Sequence, residues 1–408
     1  MLPAGAPARN LILLSAICAM AFLAYWSARL AWADHISRST AVAIVARAVS
    51  LSPGDADFRL KFAAAQEAAG ADPRPALESA IALEPDNASA WMRLGLAAEM
   101  RGDLPAAERC LQRAALASKQ FAPRWALANY YFRRGDAAHF WLWVRESLRM
   151  GYGDLNPVFR LCWHMSEDAG LILDRAIPER RGVLNSYVQF LLEEGKLQVS
   201  ERPALLLANL ATAEDESTLL AWCDRQIGAG SPSAAVAVWN RMCAKHMAPY
   251  APVAYDRSPL TDGDFAAPFG SGFAWRLPPV AGVSCGRNTL EHHLWVTFDG
   301  SQPEACAPLL QFVPVAAGSS YRLRFEYRTT DIAPASGLRW SVYDARTGID
   351  VAENSPWLSS PAWKPEELHF RAPASGIVRL TLVSQRLAGS TRIQGTVDVR
   401  HVSMELVP

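Results

Sequence analysis

The chain has 408 residues, half of them apolar, with 40 basic and 40 acidic side chains and a formal net charge of zero. That length predicts two or three domains with full cores, and with no polybasic run the charge pattern excludes nucleic acid as an expected partner. Seven cysteines occur without a CxxC or any Cys/His metal spacing, so neither a zinc module nor a thioredoxin-type site is expected.

Arginine far outnumbers lysine and alanine is abundant, a composition typical of GC-rich bacterial genomes. From the N-terminus, Leu11 to Ala28 is an almost uncharged apolar run behind Arg9, long enough to span a bilayer. Residues 1–33 are therefore expected to be a short tail and a transmembrane signal-anchor. The alternative is a signal peptide cut after the small-x-small phrase Ala31-Trp32-Ala33. The anchor reading implies a single pass through a bacterial inner membrane with the bulk of the chain periplasmic, although Arg29, Arg38 and Arg47 follow on the far side. Ser39 to Ser50 reads as a further helix, ending at Pro53.

The most informative stretch is Pro85 to Ala117. Trp91, Leu94, Gly95 and Ala98 recur at helical spacing, Gly102-Asp103 breaks the pattern, and Ala107, Leu111 and Ala114 share one face of a second helix. Gly102 suits the left-handed residue that ends a helix, Asp103 can cap the next, and Pro105 sits in its first turn, where no amide donor is needed. A period of about 34 residues carries Trp91 onto Trp125 and then Phe159, and backwards carries Leu94 onto Leu60 and Leu111 onto Leu77.

This grammar resembles the tetratricopeptide repeat, with Ala98 where an aromatic is usual and Leu111 in place of Phe. The resemblance implies an α-solenoid, expected over 34–247, that binds a protein partner. Its concave groove would be lined by Met92, Leu96, Ala126 and Tyr130, joined by Glu99, Arg133 and Arg134. Past Gly151 the period blurs into further amphipathic helices, among them Phe159–His164, where Cys162 and His164 read as core filling. A Pro-rich segment over 248–259, with three prolines, marks a boundary.

Beyond it the period becomes two. Tyr321–Arg328, Leu338–Val342, Val378–Leu382 and Gly395–Val402 alternate apolar with polar residues between Gly, Pro and Ser clusters. An antiparallel β-sandwich over 260–408 is expected, so the whole chain is a multidomain α + β protein. The order Asp262-Gly-Asp-Phe265, Trp275, the Gln311–Phe325 phrase and the Gly337–Asp344 strand is similar to jelly-roll carbohydrate-binding modules of the galactose-binding-like kind.

The resemblance implies a glycan or protein ligand. Arg324, Glu326, Arg339 and Tyr343 are expected on one sheet face, with Trp275, Trp357 and Trp363 as loop platforms for a sugar ring. Some relatives hold Ca²⁺, for which Asp262, Asp264 and Asp398 stand in comparable places. Cys285 and Cys306 would be either a bridge or two free thiols.

Glu291-His292-His293 is not an HExxH pair, and no P-loop, GxSxG or dinucleotide fingerprint occurs in context. No cofactor and no resident metal are expected. The expectation is a non-enzymatic membrane-anchored adaptor in bacterial envelope or exopolysaccharide assembly, a setting implied by the two resemblances. The alternative is a glycan-processing enzyme or its accessory subunit.

Overall fold

The computed structural model describes residues 6–255 and 259–407; residues 1–5, the side chains of 6–9, and positions 256–258 of the Pro-rich segment lie outside the described residues. Among the described residues fourteen α-helices precede eight β-strands. The chain divides into two compact units, 1–178 and 179–408.

The first unit opens with α1 (Ala6–Ser37), a helix of 32 residues whose N-terminal part is exposed and apolar. Its final turns pack on α2 (Val42–Leu51) and α3 (Ala56–Ala68). Hairpins follow as α3 with α4 (Arg74–Leu83), α5 (Ala88–Met100) with α6 (Leu104–Ala117), and α7 (Phe121–Arg133) with α8 (Ala137–Met150). The shorter α9 (Asn156–Met165) and α10 (Ala169–Arg175) close the unit.

The boundaries are set by the residues that the periodicity picks out. Gly70, Gly102 and Gly135 take φ of 71°, 83° and 67° at corresponding helix ends, which an L side chain adopts only with strain. Asp103 and Asp136 then cap the next helices, accepting from the amides of Ala106 and His139 at 3.1 Å each. Gly95 is required by packing: a Cβ there would stand 2.8 Å from Leu111 Cγ. Successive hairpins are tied across the repeat, as Arg93 donates to the Leu60 carbonyl at 2.9 Å and Arg133 forks onto Glu99 at 2.6 and 2.7 Å.

The second unit begins with α11 (Arg181–Glu193), α12 (Glu201–Leu210), α13 (Glu216–Gly228) and α14 (Pro232–Ala244). Eight antiparallel strands follow: β1 (Val283–Asn288), β2 (His293–Asp299), β3 (Ala305–Pro314), β4 (Ser320–Thr330), β5 (Leu338–Asp344), β6 (Lys364–Arg371), β7 (Ile377–Gln385) and β8 (Gln394–Val407). They form one sheet ordered β1-β2-β8-β4-β6 and a second ordered β3-β7-β5.

Their inner faces enclose one apolar core in which Trp340 lies 5.8 Å from Phe325 and 6.0 Å from Trp275. Trp275, expected as an exposed platform, is 1% exposed. The short bridge from Arg276 to Leu310 adds its segment to the edge of β3 and draws the indole inward, where it donates to the Asp262 carbonyl at 2.9 Å.

The opening phrase has a structural explanation. Gly263 crosses β8 so closely that a Cβ would fall 1.8 Å from the Val402 carbonyl oxygen, and Val402 donates to the Gly263 carbonyl at 2.9 Å. Gln311, fully buried, donates to the Thr261 and Phe273 carbonyls at 2.9 Å each. It thereby staples the opening segment to β3.

The boundary between the units falls at Pro178, within the helical array expected over 34–247, and α11–α14 join the sandwich in one compact body. The described residues after α14, up to Tyr255, are held rather than slack. Asn240 clamps Val253 through both main-chain groups at 2.7 and 3.0 Å, and the Tyr250 hydroxyl donates to the Pro268 carbonyl. Asp224 on α13 accepts from the Gly272 amide at 2.7 Å and from Arg276 at 2.5 Å. Trp239 on α14 packs on Phe273 at 5.6 Å and stacks on Tyr250 at 5.1 Å.

Candidate functional site

Strand β4 alternates strictly. Tyr321, Leu323, Phe325 and Tyr327 are buried, whereas Arg322, Arg324, Glu326 and Arg328 face outward. Its register against β8 sets Arg322 opposite Glu405, Glu326 opposite Arg400 and Arg328 opposite Asp398. Each cross-strand pair closes as an ion pair, with Arg322 to Glu405 at 2.9 Å, Arg400 to Glu326 at 2.8 and 2.9 Å, and Arg328 to Asp398 at 2.6 Å. On the other flank β6 brings Glu367 within 3.7 Å of Arg324.

A bulge interrupts this ladder. Between Arg400 and Ser403, β8 sets two residues against Phe325 alone, and His401 takes φ of 50°. Arg400 and His401 therefore both reach the outer face while Val402 returns to the core. His401 comes 3.7 Å from Glu326 and 4.0 Å from Asp264.

The result is a groove of about 480 Å³ lined by Arg324, Glu326, Pro365, Glu367, His401 and Ser403. The Arg400 hydrogen bond holds the Glu326 carboxyl below its ordinary pKa, and the His369 hydrogen bond does the same for Glu367. Both stay ionised acceptors beside the Arg324 and His401 donors.

Of the aromatic candidates, Trp363 is half-buried beside this face, with the Arg400 guanidinium 4.0 Å and that of Arg328 4.8 Å from its ring centroid. Its π-face thus already holds cations. Trp357 is 40% exposed and lies on the other sheet's side, 5.9 Å from Arg339.

The expected single face for Arg324, Glu326, Arg339 and Tyr343 is corrected. The first two lie on β4 in the five-stranded sheet and the last two on β5 in the three-stranded sheet, because the β4–β5 connection crosses from one layer to the other. Arg339 pairs with Asp350 at 3.4 Å, and Tyr343 carries the Arg379 guanidinium at 5.0 Å. Between them Ser341 and Thr381 are buried.

The three Ca²⁺ candidates are likewise not gathered into a cation site, and no metal-binding group of His, Cys, Asp or Glu occurs among the described residues. Asp262 spends its oxygens on the Ala266 and Ala267 amides at 2.7 and 3.0 Å, while Asp398 is committed to Arg328. His292 sits in a turn at φ of 51°, and His293 is buried at the start of β2. Cys285 and Cys306 are free thiols, and burial pushes the former up to about 11.

Of the solenoid candidates, Leu96 lines a groove of about 590 Å³ with Pro73, Arg74, Arg93, Ala97, Met100 and Arg101. Met100, whose role the sequence does not suggest, is 90% exposed there. Met92 and Ala126 are half-buried, Glu99 and Arg133 neutralise one another, and Arg134 is exposed. Tyr130 is not a groove residue: it is buried, and its hydroxyl donates to the Leu104 carbonyl at 3.1 Å.

A further cleft of about 900 Å³ opens at one end of the sandwich between the loops 331–336 and 390–395. It holds Asp331, Arg392 and the buried, unpartnered Ser336 hydroxyl. Its only sequence signal is a pair of flanking glycines, Gly337 and Gly395, where a Cβ would strike the Gln385 and Thr330 carbonyls.

The helical part is thus an array of antiparallel hairpins and the β part a two-sheet antiparallel sandwich. The sequence matches no family model, and no curated protein matches it. Solved structures similar to parts of the chain include a CBM4 module at 12% identity, covering 33% of this chain and 88% of that one with a TM-score of 0.26. A CBM22-1 xylan-binding domain from Paenibacillus barcinonensis is 12% identical, over 38% of this chain and 98% of its own, at 0.27. The Pseudomonas aeruginosa protein PilF is 14% identical, over 54% of this chain and 90% of its own, at 0.28.

Proposed function

We propose that the protein is a membrane-anchored, non-catalytic adaptor of the bacterial envelope. Its helical hairpins take a protein partner, and the outer face of its five-stranded sheet takes a neutral glycan, in the setting of exopolysaccharide assembly. The observation that carries this reading is the Arg324–Glu326–Glu367–His401–Ser403 groove. Fixed donors alternate there with fixed acceptors, which matches sugar hydroxyls that both donate and accept. The ion pairs along β4 and β8 cancel most of the local charge, so the face has little net field with which to draw a polyanion. On the helical side, the groove around Leu96 and Met100 combines apolar lining with the Arg93 and Arg101 guanidiniums, which suits an apolar side chain next to a carboxylate.

The test is affinity electrophoresis of the full chain in detergent through gels carrying neutral or acidic polysaccharide. Neutral glycan is expected to retard the wild type, and the pair Arg324→Ala with His401→Ala to release it. Losing a hydrogen bond to a charged group costs on the order of 1.5–3 kcal/mol, about tenfold or more in affinity. Trp357→Ala and Arg392→Ala should leave retardation intact. Wild-type migration unretarded in every polysaccharide would sink the glycan reading, and release by Arg392→Ala alone would move the site to the end cleft.

A further inference from the structure

We infer that α1 is one uncleaved helix with two duties. Its N-terminal part crosses the bilayer, and its last turns form the first helix of the first hairpin, which is thereby seated on the lipid headgroup layer. The inference rests on reading α1 as membrane-spanning, and the experiment below separates the two.

The helix runs unbroken from Ala6 to Ser37. At 1.5 Å per residue its apolar portion Asn10–Ser37, 28 residues, reaches roughly 40 Å, against a hydrocarbon core of about 30 Å. A span of about 20 residues starting at Leu11 ends near Leu30, and there the protein contacts begin. Arg29 Nε donates to the Leu51 carbonyl at 2.8 Å, Ala33 and Ser37 are buried, and Lys61 reaches Ser37 at 3.2 Å and Asp34 at 3.4 Å.

The potential cleavage phrase Ala31-Trp32-Ala33 therefore lies within a wound helix, with Ala33 at 0% exposure. Proteolysis favours exposed, unwound segments. Scission there would also cut Arg29 away from α2.

Because Leu51 meets Arg29, α2 runs back along α1 toward the bilayer. Its last turns and the turn at Pro53 come level with the end of the span. Trp26, Leu30 and Trp32 stay exposed near that level, and Trp residues favour the membrane–water interface. Exposed Arg47, a turn from Leu51, adds attraction to anionic headgroups.

The full chain, carrying a C-terminal tag, would be expressed in a bacterial host, its membranes washed with alkaline carbonate, and the retained protein weighed intact. It would then be digested with trypsin in detergent and in vesicles of phosphatidylglycerol and phosphatidylcholine. The expected result is carbonate-resistant chain whose mass includes residues 1–33. Cleavage at Arg47 relative to Arg101 should slow by about tenfold or more in vesicles as burial at the interface closes the site. A mass lacking residues 1–33 overturns the uncleaved helix. An unchanged Arg47-to-Arg101 ratio overturns the seating, and an intact chain washed off by carbonate overturns the membrane reading itself. Ala33→Arg in detergent should lower the thermal midpoint of the helical region while Trp32→Arg does not; equal effects would remove the hairpin role.

Discussion

The hairpins of the first unit and the sandwich of the second solve the same burial problem with opposite materials. Between helices α2 to α6 the buried residues are mostly alanines, such as Ala63, Ala80, Ala90, Ala98, Ala107 and Ala114. Backbones therefore approach closely, and each contact is made with the next hairpin. Between the sheets the filling is large aliphatic and aromatic side chains, with Trp275, Tyr321, Phe325, Trp340 and Phe370 in one continuous cluster. A linear array shares stress only with its neighbours, whereas a single core shares it with every strand.

That contrast can be broken by mutation. Trp340→Ala, which empties the centre of the sandwich, is expected to cost about 3–5 kcal/mol and to lower protection from hydrogen exchange in all eight strands together. Protection lost only in β5 would show that the core is not one cooperative body. Leu111→Ala is expected to cost about 2–4 kcal/mol. Its loss of protection should be confined to α5, α6 and the adjoining helices, and spread to the sandwich would contradict the contrast.

The smallest effect sharpens the comparison through pH. The Glu326 carboxyl is depressed by its Arg400 hydrogen bond. Its contribution is therefore fully present above the ordinary carboxylate value, about 4.3, and is lost as pH falls through the depressed folded value. Urea midpoints of the wild type should fall more between pH 5 and pH 3 than those of Glu326→Gln, by a modest margin suited to a partly exposed pair. Parallel curves would mean that the pair adds nothing.

What the sequence made legible follows the range of the forces involved. The hairpins were readable because capping, glycine turns and packing at the repeat distance are local, and Gly102, Asp103 and Leu111 each play the part that their spacing implies. Strands β4, β5, β7 and β8 announced themselves by alternation. Strand β6 did not, since Lys364-Pro-Glu-Glu367 carries Pro365 and charges that suit an edge strand. The splitting of Arg324 from Arg339 was unreadable because sheet membership is decided by partners far away in the chain. The bulge did leave a trace: Val399 and Val402, both inward, are three positions apart where simple alternation would keep an even spacing.

The strap between α14 and the sandwich has a mechanical consequence. Asp224 grips Gly272 and Arg276, Gly272 leaves no room for a Cβ beside the Trp239 ring, and Asn240 pins Val253. A pull applied to the sandwich therefore reaches α13 and α14 directly, through these contacts. A sandwich severed at the prolines would carry away a torn seam in which Phe273 has lost its indole neighbour. The natural unit to transplant begins before α11, and tension on the sandwich becomes tension on helices.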